Sequence, residues 1–174
     1  MEQLIVTAVG DDRPGLVGEL TGHLHAAGAN ILDSRMVNLR GRFAIIVLLE
    51  AADTAGIRRS FPAAAEKIGM TVQVAGHGAA PVAGRGLPFR LKTYSLDQPG
   101  LVHQVSEVLR RHGVNIEELT ARQESAAFAG DALFIMEMRL TVPAEVGVRK
   151  LRGDLEVACE KLNADMDLEP AAGT

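Results

Sequence analysis

The sequence predicts an α+β protein made of two tandem βαββαβ domains, each an antiparallel four-stranded sheet with two helices on one face. First, the chain matches itself when it is shifted by 85 positions: residues 12–17 (DRPGLV) fall on 97–102 (DQPGLV), and 28–31 (GANI) on 113–116 (GVNI). Second, short β-rich runs alternate with helical apolar stripes in both copies. Third, a Gly-, Pro- and Ala-rich stretch separates them. We therefore expect a first domain at 1–76, a linker at 77–87 and a second domain at 88–170.

The first strand and first helix of each copy follow from residue type and spacing. Strands are predicted at 4–9 and 89–96, and each helix is expected to begin with Asp12 or Asp97 as its N-cap and a proline in its first turn. Gly28 and Gly113 are expected to end the helices, because glycine accepts a left-handed cap. The predicted core stripes are Leu16, Val17, Leu20, Leu24 and Ala27 in the first copy, and Leu101, Val102, Val105, Leu109 and His112 in the second.

A strand pair, a second helix and a last strand complete each copy. The pairs are predicted at 30–39 and 42–50, joined by a tight turn at Arg40-Gly41, and at 115–122 and 132–142, with an enlarged tip at 123–131. Last strands are predicted at 71–75 and 165–168. Pro62 should kink or delay the second helix of the first copy. The second helices carry apolar stripes at Ile57, Phe61, Ala64, Ala65 and Ile68, and at Val148, Leu151, Leu155, Ala158 and Leu162.

Composition excludes several classes of function. Eighteen basic and twenty-two acidic residues give a net charge of −4, which disfavours direct binding to the phosphate backbone of a nucleic acid. Aromatic residues make up 3% of the chain, which leaves few side chains on which unstacked bases could stack. The longest apolar run, 43–49, is too short to cross a bilayer, and the start does not resemble a signal peptide, so we expect a cytoplasmic protein. The five histidines and the single Cys159 lack zinc spacing, and we expect no metal and no cofactor.

The two predicted sheets differ on the face that no helix covers. Alternation places Leu4, Val6 and Ala8, like Phe89, Leu91 and Thr93, on the helix side. The outer face then carries Ile5, Thr7 and Val9 in the first copy, but Arg90, Lys92 and Tyr94 in the second. The first sheet thus has an apolar outer face, which we expect another subunit to cover, giving a homodimer through that face.

Each strand-to-helix junction could hold a small zwitterion. Free N–H groups at a helix start attract a carboxylate, and glycine lets it approach the backbone. An aspartate could accept the ammonium group, and Asn30 or Asn115 offers a donor and an acceptor. The same residues are also common as caps and strand starts, so a purely structural role stays open. The expected ligand contacts are Asp12, Pro14, Gly15, Leu16, Asn30 and Ile31, and Asp97, Pro99, Gly100, Leu101, Asn115 and Ile116.

These motifs, Asp-x-Pro-Gly-Leu-Val followed by Gly-x-Asn-Ile within a βαββαβ order, resemble the ACT domain, a ferredoxin-like module that senses amino acids and other small ligands. The resemblance covers both copies. It implies that the residue two before Pro-Gly and the Asn after the helix hold a ligand between two domains; Asp12, Asn30, Asp97 and Asn115 occupy those places. Many members have Asn where this chain has Asp.

The tandem arrangement resembles the glycine cleavage system transcriptional repressor group. That resemblance implies a regulator with a small amino acid such as glycine as effector. It would act through a protein partner such as a transcription factor, without binding DNA itself. A ligand-free interaction or dimerisation module is the alternative. An enzyme is disfavoured, and no catalytic residues are expected, because the sequence has no Walker-type phosphate loop, no serine elbow and no cysteine paired with a plausible histidine.

Overall fold

The chain folds into two compact units, Met1–Val82 and Ala83–Thr174. The structure is a computed structural model that describes residues 2–78, 86–96, 99–125 and 132–171. The division falls inside the stretch expected to be a linker. Gly86 and Leu87, predicted as linker, pair with Pro143 and Val142 and so belong to a strand.

The first unit is a four-stranded sheet with two helices. Its sheet has the order β2-β3-β1-β4, with every neighbouring pair antiparallel. The elements are β1 (Glu2–Asp11), α1 (Leu16–Ala26), β2 (Asn30–Leu39), β3 (Arg42–Ala51), α2 (Thr54–Lys67) and β4 (Met70–Gly76). The predicted order of elements is therefore confirmed, with strands one to three residues longer at several ends.

The second unit repeats this topology, with the order β6-β7-β5-β8. Its elements are β5 (Gly86–Leu96), α3 (Leu101–Arg111), β6 (Asn115–Ser125), β7 (Ala132–Pro143), α4 (Val148–Glu160) and β8 (Ala164–Pro170). Residues 123–125, predicted as part of the hairpin tip, extend β6 by pairing with β7. The rest of that predicted tip, 126–131, lies outside the described residues.

The alternation predicted for the first strands is confirmed. Leu4, Val6 and Ala8 are buried in one core, and Phe89 and Leu91 in the other. In α1 the buried positions are Leu16, Leu20 and Leu24, one every four residues. Val17 is 40% exposed and Ala27 is also exposed, so both were wrongly assigned to the core stripe. Val17 lies about 100° around the helix from the buried Leu16, which turns it away from the sheet, and Ala27 is the C-cap, past the last helical residue.

Pro62 does not delay α2, although a delay was one of the two effects predicted for it. The helix begins at Thr54, where the Asp53 side chain caps it by accepting a hydrogen bond of 2.7 Å from the Gly56 N–H. Pro62 lies within the helix on its exposed side, and the helix continues to Lys67.

Left-handed glycines end both first helices as predicted. Gly28 has φ +71° and Gly113 has φ +65°. The next residue in each copy donates back to a helical carbonyl at 3.0 Å, from Ala29 to Leu24 and from Val114 to Leu109. This is the Schellman arrangement, which satisfies carbonyls that a helix end would otherwise leave unpaired.

Cys159 is buried in the second core, as the apolar spacing around it predicted. Burial raises the pKa of its thiol to about 11, because the thiolate would lose its hydration. The thiol is therefore protonated at neutral pH and packs as a small apolar group.

We predict that Leu109→Ala lowers the free energy of unfolding by about 2–5 kcal/mol, because a fully buried side chain is replaced by a cavity. Val157→Ala is the matched control, since Val157 is 52% exposed and should change stability by less than about 0.5 kcal/mol. Urea unfolding followed by circular dichroism measures both. Equal effects of the two substitutions would contradict the assigned core.

Candidate functional site

Both strand-to-helix junctions, which we call the first and second entrances, are built on a left-handed glycine. Gly15 has φ +89° and Gly100 has φ +102°, and each is the N-cap of its helix with no side chain capping it. The first intrahelical bonds are Glu19 N–H to Gly15 O and Gln104 N–H to Gly100 O. The N–H groups of the preceding helical residues have no intrahelical acceptor, as at any helix start. At the first entrance the Leu16 N–H donates to Arg13 O at 3.4 Å, and a helix start can present the following N–H groups to an anion.

The predicted capping role of Asp12 is wrong. Its carboxylate accepts a hydrogen bond from the Asn38 side chain, and its N–H donates to Gly41 O at 2.9 Å. Asp12 is therefore tied to the β2–β3 turn, because the left-handed Gly15 starts the helix three residues later. Pro14 precedes the helix instead of lying in its first turn. Asp97 lies outside the described residues.

An ion pair lies across the first entrance. The Arg13 guanidinium donates to both carboxylate oxygens of Glu19, at 2.5 and 2.7 Å. Glu19 Oε1 is 3.8 Å from the position that a Cβ on Gly15 would take. The hydrogen bond from Arg13 lowers the pKa of Glu19, so its carboxylate is charged at neutral pH. This ion pair was not predicted from the sequence, although the oppositely charged residues near Pro-Gly could have indicated it.

The second entrance differs in charge. The positions that match Arg13 and Glu19 under the repeat are Gln98 and Gln104. The first turn of α3 contains no acidic residue. Among the described residues, no atom lies within 4 Å of where a Cβ on Gly100 would stand. The two entrances thus share a left-handed glycine, but the ion pair of the first has uncharged counterparts in the sequence of the second.

The two leucines predicted as ligand contacts point inward. Leu16 and Leu101 are 2% and 1% exposed and belong to the cores. Their side chains therefore pack in the cores, and a ligand contact from either leucine would come from its backbone.

The two asparagines begin the exposed edge strands. Asn30 Nδ2 donates to Glu50 Oε1 at 3.2 Å, and Asn115 Nδ2 donates to Glu117 Oε1 at 2.7 Å. A cavity of about 450 Å³ lies beside Asn30, between β2 and the exposed side of α1. Its lining residues are Gly18, Thr21, Gly22, His25, Ala29, Asn30 and Ile31. The helix residues in this lining were not anticipated from the sequence.

Within one domain, the entrance and the asparagine lie at opposite ends of the sheet. Asp12 is bound to Asn38 near the end of β2, whereas Asn30 begins the same strand. Eight residues of extended strand span about 26 Å. The predicted contacts of one domain are therefore not brought together, and an amino acid cannot touch both.

The difference between the outer sheet faces is confirmed. In the first unit, Ile5 and Leu48 line a cavity of about 150 Å³ together with Ile46, which is 45% exposed. In the second unit, the outer face carries ion pairs, Lys92–Glu137 at 3.5 Å and Arg139–Glu118 at 2.9 Å. The β2 edge adds exposed apolar residues that the sequence analysis did not single out, namely Leu32, Met36, Val37 and Leu39.

Neither a metal centre nor a membrane span is found in the part of the chain that the structure describes. No group of three or more His, Cys, Asp or Glu side chains there could hold a metal ion. No helix among the same residues is long and apolar enough to cross a membrane.

We predict that Asn115→Ala raises the pKa of Glu117 toward its ordinary value. The hydrogen bond from Asn115 is the main cause of the lowered pKa, ahead of that from Thr141. A lowered pKa stabilises the folded state above the carboxyl's unfolded-state pKa, and this contribution disappears as pH falls through the folded-state pKa. The stability difference between wild type and variant should therefore shrink in acid. Carboxyl NMR titration measures the pKa, and Asn30→Ala, in the other unit, should leave it unchanged.

Comparison with known proteins agrees with this architecture. The ACT domain family model matches residues 2–75. The chain is 27% identical over 163 residues to the glycine cleavage system transcriptional repressor of Escherichia coli (strain K12), covering 92% of this chain and 86% of that one. A crystal structure of an unknown protein from Galdieria sulphuraria is 30% identical, with a TM-score of 0.84 over 98% of this chain and 99% of that chain. A crystal structure of a putative glycine cleavage system transcriptional repressor, 19% identical, has the same fold, with a TM-score of 0.72 over 99% of this chain and 98% of that chain. Together with the internal repeat, these similarities show that the chain is a tandem ACT-domain protein that resembles the glycine cleavage system transcriptional repressors.

Proposed function

We propose that this protein senses a small amino acid and transmits its concentration by changing its association with another protein. Glycine is the first candidate effector, because the Escherichia coli relative is named as a glycine cleavage system transcriptional repressor. The observation that carries the proposal is the duplicated entrance, in which a left-handed glycine starts a helix that no side chain caps. The N–H groups in the first turn of such a helix suit the carboxylate that every amino acid carries.

The separation within each domain supports a ligand held between two domains. Asp12 and Asn30 lie at opposite ends of one sheet, so a molecule touching both kinds of contact must take the entrance from one domain and the asparagine from another. Ligand binding then depends on how two domains are placed. A ligand shifts that arrangement by the difference between its affinities for the two states, which makes association the natural output.

The partner in this proposal is a DNA-binding protein, whereas the chain itself does not bind DNA. A net charge of −4 provides no field for phosphates. The protein acts in the cytoplasm and catalyses no reaction in this proposal, in keeping with a named relative that is a transcriptional repressor.

We further propose that the chain forms a homodimer through the outer face of the first sheet. Pairing would remove the apolar side chains of Ile5, Ile46 and Leu48 from water, which would stabilise the dimer. The outer face of the second sheet carries ion pairs and would not be stabilised in this way. The same surface also supports the alternative function, a ligand-free ACT interaction module. The two functions differ in whether an amino acid binds.

A thermal-shift screen of the twenty amino acids tests the sensor. An amino acid present at about 100 times its Kd should raise the free energy of unfolding by about 2.7 kcal/mol, because it binds only the folded protein. The melting temperature of the full chain, measured by calorimetry, reports this change. If no amino acid raises it, the sensing function is wrong and the interaction module is favoured.

Replacing the asparagines locates the contact. Asn30→Ala or Asn115→Ala should weaken binding by about 1–3 kcal/mol, since a buried ligand group loses its partner. Gln73→Ala is the matched control, because this exposed amide lies on β4 at the sheet edge opposite β2. Isothermal titration measures the affinities. Unchanged affinity in both variants would contradict the assigned strand contacts.

Oligomeric state tests the first sheet face. Light scattering at micromolar concentration should give twice the 18.5 kDa chain mass, and Ile46→Lys should give the monomer, since it places a charge in the apolar face. Thr120→Lys adds the same charge to the outer face of the second sheet and should leave the dimer intact. A monomeric wild type, or dissociation by both variants, would contradict this interface.

A further inference from the structure

The second helices of the two copies carry an arginine at the same place. Beyond the hairpins the copies match at a shift of 94 positions instead of 85, because the second hairpin and the loop after it are longer. This shift aligns buried residues of the two cores, namely Ile57, Phe61 and Ala65 with Leu151, Leu155 and Cys159. It also aligns Arg58 of α2 with Arg152 of α4, and Val74 of β4 with Leu168 of β8.

Each arginine donates a hydrogen bond to a carbonyl of the last strand in its sheet, and the two carbonyls are the aligned ones. Arg58 Nη1 donates to Val74 O at 3.4 Å, and Arg152 Nη2 donates to Leu168 O. Arg58 Nη2 is also 2.7 Å from the position that a Cβ on Gly76 would take. The guanidinium of Arg58 therefore lies along β4.

The carbonyl of Val74 lies on the outer edge of the first sheet. In the described part of the chain, β4 is the last strand of that sheet. His77 N–H donates to Gln3 O, so these residues form a hydrogen-bonded pair at the end of the β1–β4 ladder. Along an antiparallel ladder such pairs alternate with non-hydrogen-bonded pairs, whose N–H and C=O groups point away from the partner strand. Val74, three residues before His77, pairs with Val6 in a non-hydrogen-bonded position, so its carbonyl points outward.

The second copy repeats this geometry. Ala171 N–H donates to Pro88 O between the end of β8 and β5. Leu168, three residues before Ala171, therefore turns its carbonyl to the outer edge, where Arg152 binds it. Pro170 is the next residue whose backbone faces this edge, and proline has no N–H to donate. Prolines and charged side chains are the means by which edge strands avoid pairing with another chain.

The two outer edges differ in how much they depend on the arginine. The sequence of β4, Met-Thr-Val-Gln-Val-Ala-Gly, has no charge and no proline, which is typical of a strand that can add to another sheet. β8 carries three exposed carboxylates and ends in proline. The edge of β4 is therefore protected mainly by Arg58, whereas the edge of β8 has further protection.

We propose that Arg58 and Arg152 block the outer edges of the two sheets against the same edges of a second copy of this chain. An incoming strand needs the carbonyl to which each guanidinium already donates. Two β4 edges that paired about a two-fold axis near Val74 would also bring two Arg58 guanidiniums together, and like charges repel. Neither arginine belongs to an entrance or to the apolar outer face of the first sheet, so this inference stands apart from the proposed function.

Light scattering of the full chain over a concentration series tests the proposal. Arg58→Met keeps the length of the side chain but removes its donors and its charge. At about 100 μM it should give a mean mass at least about twofold above that of the wild type, because two β4 edges then pair. Arg152→Met should associate at least about tenfold more weakly, since the proline and the carboxylates of β8 remain. Arg59→Met is the matched control, because it removes the same charge from an exposed residue of α2 and should keep the wild-type mass.

A second substitution identifies strand pairing as the cause. Gly76→Pro, added to Arg58→Met, copies into the first sheet the proline that ends β8, and the clash of a Cβ with Arg58 is absent in that background. The double variant should return to the wild-type mass, because the edge loses a donor that an added strand would use. In dilute solution the melting temperature of Arg58→Met should stay within about 4 °C of the wild type, since an exposed contact contributes little to stability.

Four results would overturn the proposal. These are a wild-type mass for Arg58→Met at every concentration, equal association of Arg59→Met, association that Gly76→Pro leaves unchanged, and a much lower melting temperature of dilute Arg58→Met, which would assign its association to unfolding. None of these measurements uses an amino acid, so any of the four results would leave the proposed sensing function untouched.

Discussion

A left-handed glycine between strand and helix is the constraint on which the candidate site depends. At φ +89° and +102°, Gly15 and Gly100 turn the chain sharply enough to start a helix without a capping side chain. No side chain then competes for the N–H groups of the first helical turn. The same turn releases Asp12 from capping, and it bonds to Asn38 in the neighbouring hairpin. A residue with a Cβ would disfavour this conformation, which explains why glycine stands at both junctions.

The outer sheet faces of the two copies differ in chemistry, because the fold does not constrain those surfaces. On the inward side of the first strand, both copies place apolar residues in the core, such as Val6 and the matching Leu91. Outward positions exchange apolar residues for ion pairs such as Lys92–Glu137. The entrances diverge in the same way, since Glu19 has a glutamine as its counterpart. A duplicated domain can in this manner keep its core while its two copies present different surfaces.

The separation of the entrance from the asparagine links recognition to assembly in the proposed function. A site complete within one domain would bind its effector whatever the partner does. Asp12 and Asn30 are separated by the length of a strand. In the proposed function, a domain therefore offers one part of the ligand contacts at one end of its sheet and the other part at the opposite end. Binding then favours the arrangement that joins two halves, and the ligand needs no moving part within a domain to have an effect.

The sequence by itself determined the order of elements, the helix ends at Gly28 and Gly113 and the contrasting sheet faces. These depend on local conformation and on periodicity, which each short segment carries in its own residues. It misplaced Val17, because a stripe predicts a helix face only to within about one residue's rotation, and Ala27, because the helix ends one residue before it. Only the tertiary structure decided the partner of Asp12, the ion pair of Arg13 with Glu19, the cavity beside Asn30 and the strand carbonyls that Arg58 and Arg152 bind. The physical reason is that the hydrogen-bond partner of a polar group depends on every neighbour that folding brings near it. Most of those neighbours are distant along the chain.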